Sequence, residues 1–259
     1  MNDEKHRRQF LQTIAAGSLL ALAPTALAQG RRTRNTTEDE DPSVFVFSRL
    51  QFRTINTTQD EWDCGIDKDE DLLRFVRETT NIKLSEKTFY ERSISIEDLR
   101  QAYFHPDAPS VAFSRPFIFM TGSGMFEFNE PEAATLREYI KRGGFWYVDD
   151  CIAKDNPNAF YKCFLREFKK VFPDMEMVPV PKDHEIYHCV YDMPDGAPWV
   201  QGDRSSDMGL FIDKRLAVLL TSVDLHCGWR WEFTNRTVHA DKTICRKMGV
   251  NIIVYALTH

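Results

Sequence analysis

Apolar residues fall along this chain in two rhythms, short uninterrupted runs and stripes at helical spacing, and the clearest succession of the two lies near its middle. From Phe117 to Met120 every side chain is apolar, between Pro116 and the turn residues Thr121-Gly122-Ser123-Gly124. A run that short with no polar break suits a strand buried on both faces, as in a parallel sheet. Asn129 then stands three residues before Glu132, the spacing of a capping box, with Pro131 tolerated in the first turn. Ala133, Leu136 and Ile140 share one face of the helix this predicts through Arg142. Lys141 and Arg142 suit its negative end, and Gly143 supplies a left-handed stop. Phe145 to Val148 is a second apolar strand and runs into Asp149-Asp150-Cys151. Strand, helix and strand of this kind close as a right-handed parallel crossover, and ligands bind beyond the carboxyl ends of such strands. Thr121 to Gly124 and Asp149 to Cys151 are therefore expected on one rim.

The same reading extends along the chain. Val44 to Phe47 and Leu50 to Phe52 read as a first strand, and Asp69 to Thr80 as a helix with Leu72, Leu73, Phe75 and Val76 inward. Ile82 to Phe89 reads as a second strand. Ser95, three residues before Asp98, starts a helix through Tyr103, and His105 to Pro109 is a loop. Phe160, Phe164 and Phe168 stripe a helix from Asn158 to Phe172 that Pro173 ends. Met177 to Val180 is a short strand. Gly209 to Ile212 and Arg215 to Leu220 flank Asp213-Lys214 as a hairpin, and Asp224 to Glu232 reads as a loop rich in Trp, His and Cys. Ile244 to Leu257 fits either a strand or a buried helix. The fold class that follows is α/β, with a mainly parallel sheet and an antiparallel hairpin.

Composition adds an address and removes a partner class. At 259 residues and a net charge of −6, the chain offers no electrostatic case for nucleic-acid binding. Arg7-Arg8-Gln9-Phe10-Leu11 matches the twin-arginine export pattern, Ile14 to Ala23 is apolar but short for a membrane span, and Ala26-Leu27-Ala28 is a small-x-small cleavage site. The expectation is a signal peptide over 1–28, handed to the twin-arginine translocation machinery and cut after Ala28. A polar linker over 29–42 and a folded domain over 43–259 would follow, exported to the periplasm without a transmembrane span.

Several groups could carry chemistry. Asp149 and Asp150 end a buried strand, where one is expected to cap a following turn or helix and the other to face the rim. A catalytic carboxylate there needs a partner, and His184 and Asp224 are the candidates. Thr121, Gly122, Ser123 and Gly124 could cradle an anion through backbone N–H groups, or simply turn the chain. His226 and Trp229 could line a ligand or form a lid. His184-Glu185-Ile186-Tyr187-His188 spells the zinc-protease pattern, but Pro179, Pro181 and Pro194 leave little room for the long helix that pattern requires. Cys151 lacks the flanking glycines of a strained nucleophile turn. None of the six cysteines, Cys64, Cys151, Cys163, Cys189, Cys227 and Cys245, forms a C-x-x-C pair. Neither a metal cage nor a cofactor is signalled.

Taken in order, Phe117 to Gly124, Gly143-Gly144-Phe145, Asp149-Asp150, Asp183-His184, Arg215 to Val218, Asp224-Leu225 with Trp229, and Gly249-Val250-Asn251 with Tyr255-Ala256-Leu257 resemble the exported domain-of-unknown-function family numbered four-one-five-nine. The resemblance covers the chain from Val44 to Thr258. It implies a three-layer, flavodoxin-like fold of the glutamine-amidotransferase-like kind and favours a helix for the C-terminal tail. By that analogy the turn after Val148 stands where class I amidotransferases carry their nucleophilic cysteine. Asp149-Asp150 in that place speaks against glutaminase activity. Two functions remain: binding of an unidentified ligand or protein partner, or hydrolysis by Asp149 or Asp150 with His184 and Asp224. A zinc hydrolase through His184 and His188 stands behind both.

Overall fold

The computed structural model describes Asp41 and residues 43–55, 62–104, 115–152, 158–202, 206–230 and 241–259. The expected signal, the linker apart from Asp41, the loop at 105–109 and the last two residues of the 224–232 segment lie outside the described residues.

The strands are β1 (Ser48–Gln51), β2 (Ile94–Ser95), β3 (Phe117–Gly122), β4 (Phe145–Asp150), β5 (Val178–Pro179), β6 (Met208–Ile212) and β7 (Arg215–Thr221). They form one sheet in the order β2-β1-β3-β4-β7-β6-β5. The pairs from β2 to β7 are parallel, while β6 runs antiparallel to both β7 and β5. The helices are α1 (Ile66–Thr79), α2 (Phe89–Arg92), α3 (Ile96–Phe104), α4 (Glu130–Lys141), α5 (Ala159–Val171), α6 (Leu225–Gly228) and α7 (Lys242–Thr258). Among the described residues, no helix is long and apolar enough to cross a membrane.

The central crossover follows its sequence signals closely. Asn129 accepts from the Glu132 amide at 2.9 Å, and Glu132 accepts from the Asn129 amide at 2.8 Å. Gly143 turns the chain with φ 101° into β4. The strands divide two layers of core. Ile118, Met120, Trp146 and Val148 meet Leu136 and Ile140 of α4 and Phe160, Phe164 and Phe168 of α5. Phe117, Phe119, Phe145 and Tyr147 meet Leu72 and Val76 of α1 and Met248, Ile252 and Tyr255 of α7. Alternate residues of β3 and β4 thus face opposite layers, as the pleat requires. At the hairpin, positive φ at Asp213 and Lys214 (49° and 70°) makes a tight turn of the kind that matches strand twist.

The observed elements differ from the sequence reading at four places. Ile82 to Phe89 is not a strand: Leu84 makes one isolated bridge to Phe45, and the ladder residues are Ile94 and Ser95. The Thr88–Glu91 capping box starts α2 inside the expected strand. The first strand is confined to Ser48–Gln51. Strand β4 continues through Asp149 and Asp150, which pair with Thr121 and Gly122, so both carboxylates stand within the ladder. The segment expected as a loop from Asp224 instead forms the helical turn α6.

Candidate functional site

The carboxyl ends of β4 and β7 lie side by side, with Asp149 opposite Thr221. Asp149 is fully buried. Its Oδ1 accepts from Thr221 Oγ1 at 2.5 Å and the Leu225 amide at 3.2 Å, and its Oδ2 accepts from the His226 amide at 2.8 Å. The residue in the N-cap position of α6 is Asp224, but it sits in the left-handed region (φ 54°) and makes no side-chain cap bond. The carboxylate that satisfies the first amides of α6 therefore comes from the neighbouring strand. Burial pushes the Asp149 carboxyl well above its ordinary range, and the charge of Asp224 adds to this.

Asp224 is equally buried and turns the other way. Its Oδ2 accepts from the Gln201 amide nitrogen and from the Ile152 amide at 3.4 Å, while Oδ1 has no hydrogen-bond partner among the described residues. Burial raises its pKa, against the opposing pull of Gln201, Cys227 and Lys68. Asp150 points into the other layer. Neither of its oxygens has a hydrogen-bond partner among the described residues, although only 1% of the residue is exposed. The Tyr161 amide and Lys162 at the start of α5 favour its charged form without reaching hydrogen-bonding geometry. Burial and Asp224 prevail and push its pKa up to about 8.

Cys151 follows directly, its amide donating to Gly122 O at 3.1 Å. Its thiol meets those of Cys227 and Cys64, and with burial these contacts hold it well above the usual thiol range. One carboxylate oxygen of Asp224 and the sulfurs of Cys151 and Cys227 lie within 4.8 Å of one another. Lys68, on the first turn of α1, donates from Nζ to Cys227 Sγ at 3.2 Å. Burial works against the Lys68 charge, but Cys227, Cys151 and Asp224 outweigh it and raise its pKa. Gly65 makes this approach possible. Its φ is 66°, and a Cβ there would stand 2.6 Å from the His226 ring and 2.9 Å from Lys68 Cδ.

Beneath this cluster runs a buried ionic chain. Arg49 donates to Asp69 through Nη2 at 2.8 Å and Nε at 3.2 Å, and His226 Nε2 lies 3.1 Å from Asp69 Oδ1 and 3.2 Å from Arg49 Nη2. Burial pushes the His226 pKa down to about 4, so the ring is neutral near pH 7. Trp229 is packed against Phe47, Phe119, Tyr147 and His226. His226 and Trp229 are thus interior to the layer under the rim. Thr121, Gly122, Ser123 and Gly124 are all buried at the end of β3. A Cβ at Gly122 would lie 3.1 Å from Phe160 and 3.3 Å from Phe52, so the turn sits under aromatic rings.

His184 is not brought into this group. Its ring packs against Phe211 and Tyr255 (centroids 5.5 and 5.4 Å), and Tyr255 accepts from the Leu216 amide at the start of β7. Asp149 lies at the other end of that strand, about 17 Å along it at the usual rise per residue. The segment around His184 is a 3-10 turn over Glu185–Tyr187, not an α-helix. His184 Nδ1 accepts from the Ile186 amide at 3.2 Å, and His188 is held by Asp192 and the Lys182 carbonyl. The two imidazoles present no shared metal-binding face. What the structure does gather is Asp149, Asp150, Cys151, Asp224 and Cys227, with Cys64, Lys68 and Gln201. Cys64, Lys68 and Gln201 gave no sequence signal, because their partners lie far along the chain, after β4 and β7 and on α6.

The family model described as Domain of unknown function (DUF4159) matches residues 51–257. A search of the curated proteins finds no match. The chain belongs to the DUF4159 family.

Proposed function

We propose that this DUF4159 member is an exported binding domain on an amidotransferase-like fold that does not hydrolyse glutamine, its ligand seated at the carboxyl-end rim of β4 and β7. The observation that carries this reading is Asp150, a buried carboxyl group with neither oxygen hydrogen-bonded among the described residues. Buried polar groups are nearly always satisfied, and the exceptions concentrate where a ligand supplies the missing contact. The mostly parallel sheet supports the superfamily assignment, and in such sheets ligands bind beyond the carboxyl ends of the strands.

The absence of glutaminase activity is argued from the surroundings of Cys151. A cysteine nucleophile needs a base to take its proton. The thiol's neighbours are Cys227, Cys64 and Asp224, whereas His226 turns its Nε2 to Asp69 and Arg49. The twin-arginine pattern at Arg7-Arg8, the apolar segment and Ala26-Leu27-Ala28 support export and a periplasmic location.

Native mass spectrometry of the protein recovered from the export compartment tests the reading. Mass beyond the mature polypeptide is expected in the wild type, and the part contributed by the ligand that meets Asp150 is lost in Asp150→Ala, with no ammonia released from glutamine by either. A bare polypeptide in both proteins, or glutamine hydrolysis by the wild type, would contradict it.

A further inference from the structure

We infer that Cys151, Cys227 and Asp224 are the ligands of a single zinc-class divalent cation, with the fourth coordination position left open at the rim. The ion would sit beside the ligand that Asp150 meets, at the same rim, and this inference rests on the binding reading above. Cys151 follows β4, Asp224 follows the adjacent parallel strand β7 and Cys227 lies on α6 just beyond it, and the three donor atoms already lie within 4.8 Å of one another. A tetrahedral ion about 2.3 Å from sulfur sets sulfur–sulfur edges of roughly 3.8 Å, so small side-chain adjustments close the site. Three protein donors with a free fourth position is the arrangement of zinc sites that act on something, as opposed to fully closed structural ones. Two soft thiolates with one carboxylate select zinc over magnesium or calcium.

Two further observations point to a cation and not to a simple thiol cluster. Asp224 is fully buried, and its Oδ1 is without a hydrogen-bond partner among the described residues. A Cys151–Cys227 disulfide would leave that oxygen unsatisfied, whereas an ion takes it up. Lys68 holds its ammonium 3.2 Å from Cys227 Sγ. Two thiolates and a carboxylate exceed the charge of a divalent ion by one, and Lys68 supplies the balance. As the ion binds, two metal–sulfur bonds form and the two thiol protons pass to solvent. The missing C-x-x-C pair is no obstacle, because Cys151 and Cys227 are neighbours through the sheet and not through the chain.

The test uses the mature protein, reduced and stripped with a chelator, titrated first with Co2+ and then with Zn2+. One equivalent of Co2+ is expected to give near-ultraviolet sulfur-to-metal charge transfer and the visible bands of a tetrahedral site, both abolished by Zn2+. Cys151→Ser and Cys227→Ser should each weaken binding by more than the roughly 10–100-fold that outer-shell changes cost, and Lys68→Met should fall within that range. Cys189→Ser, outside the cluster, should leave the titration unchanged, and circular dichroism checks that each variant is folded. Should a variant fail to fold, Asp224→Asn with the same readout takes its place. Folded wild-type protein that takes up no Co2+ or Zn2+, binding indifferent to both cysteine substitutions, or a Cys151–Cys227 disulfide in protein from the export compartment would overturn the proposal. A non-metal adduct in native mass spectra would then leave the rim reading standing, and its absence would end both.

Discussion

At the scale of single residues, three carboxyl groups near one rim divide three tasks by their surroundings. Asp149 caps a helix, Asp224 is half-satisfied, and Asp150 is buried without a hydrogen bond among the described residues. A buried unsatisfied group costs about 1–3 kcal/mol, so in protein freed of ligand Asp150→Ala is expected to raise the urea midpoint by a stabilisation of that size. A lower midpoint would mark Asp150 as a structural residue. Asp69 shows the opposite case. Burial alone would raise its pKa, but Arg49 and then His226 outweigh burial and hold it below the ordinary value. Because its folded pKa is depressed, its contribution is full above the unfolded value of about 4 and is lost as pH falls through the folded one. Asp69→Asn leaves Arg49 buried without its counter-ion and should cost about 3–5 kcal/mol at neutral pH. In parallel denaturant titrations, the gap to the wild type should narrow below about pH 4. A gap constant down to strong acid would refute the assignment.

At the scale of elements, what could be read from the sequence was local. The Asn129–Glu132 box, the Gly143 stop and the apolar runs of β3 and β4 act within a few residues and were visible as spacing. Asn129→Ala should therefore cost about 1 kcal/mol, measured as a lowered thermal midpoint, and an unchanged midpoint would mean the cap is idle. The misreadings arose where a local device competed with an apolar run, as when the Thr88–Glu91 box turned an expected strand into a helix. The site was legible only in part. That Asp149-Asp150 would split into a cap and a rim group follows from the pleat and the preference of Asp for caps. That the capped helix would be α6, whose first amides lie 76 and 77 residues further on, depends on the order of strands in the sheet. His184 was paired with the rim because its segment follows a strand, yet the chain turns back after β5: Pro179 pairs with Met208 beside the rim, whereas the His184 ring packs on Phe211 and Tyr255 at the other end of the sheet.

For the whole molecule, the proposed export and the proposed binding would be linked by the twin-arginine reading, since that route carries folded chains and allows a ligand to be loaded before transit. Replacing Arg7 and Arg8 together by Lys should hold the precursor in the cytoplasm, seen as a heavier band in cell fractions, and undiminished export would dismiss the signal. Hydrogen exchange tests the central claim, that the β4–β7 rim holds a ligand, most directly. Amide exchange would be compared between protein as recovered from the export compartment and the same protein unfolded, dialysed against chelator and refolded. The account predicts faster exchange after stripping in residues 62–68, 149–152 and 224–228, with the hairpin at 208–221 and the end of α7 unchanged. Identical exchange in the two samples, or a change confined to segments away from those strand ends, would contradict it.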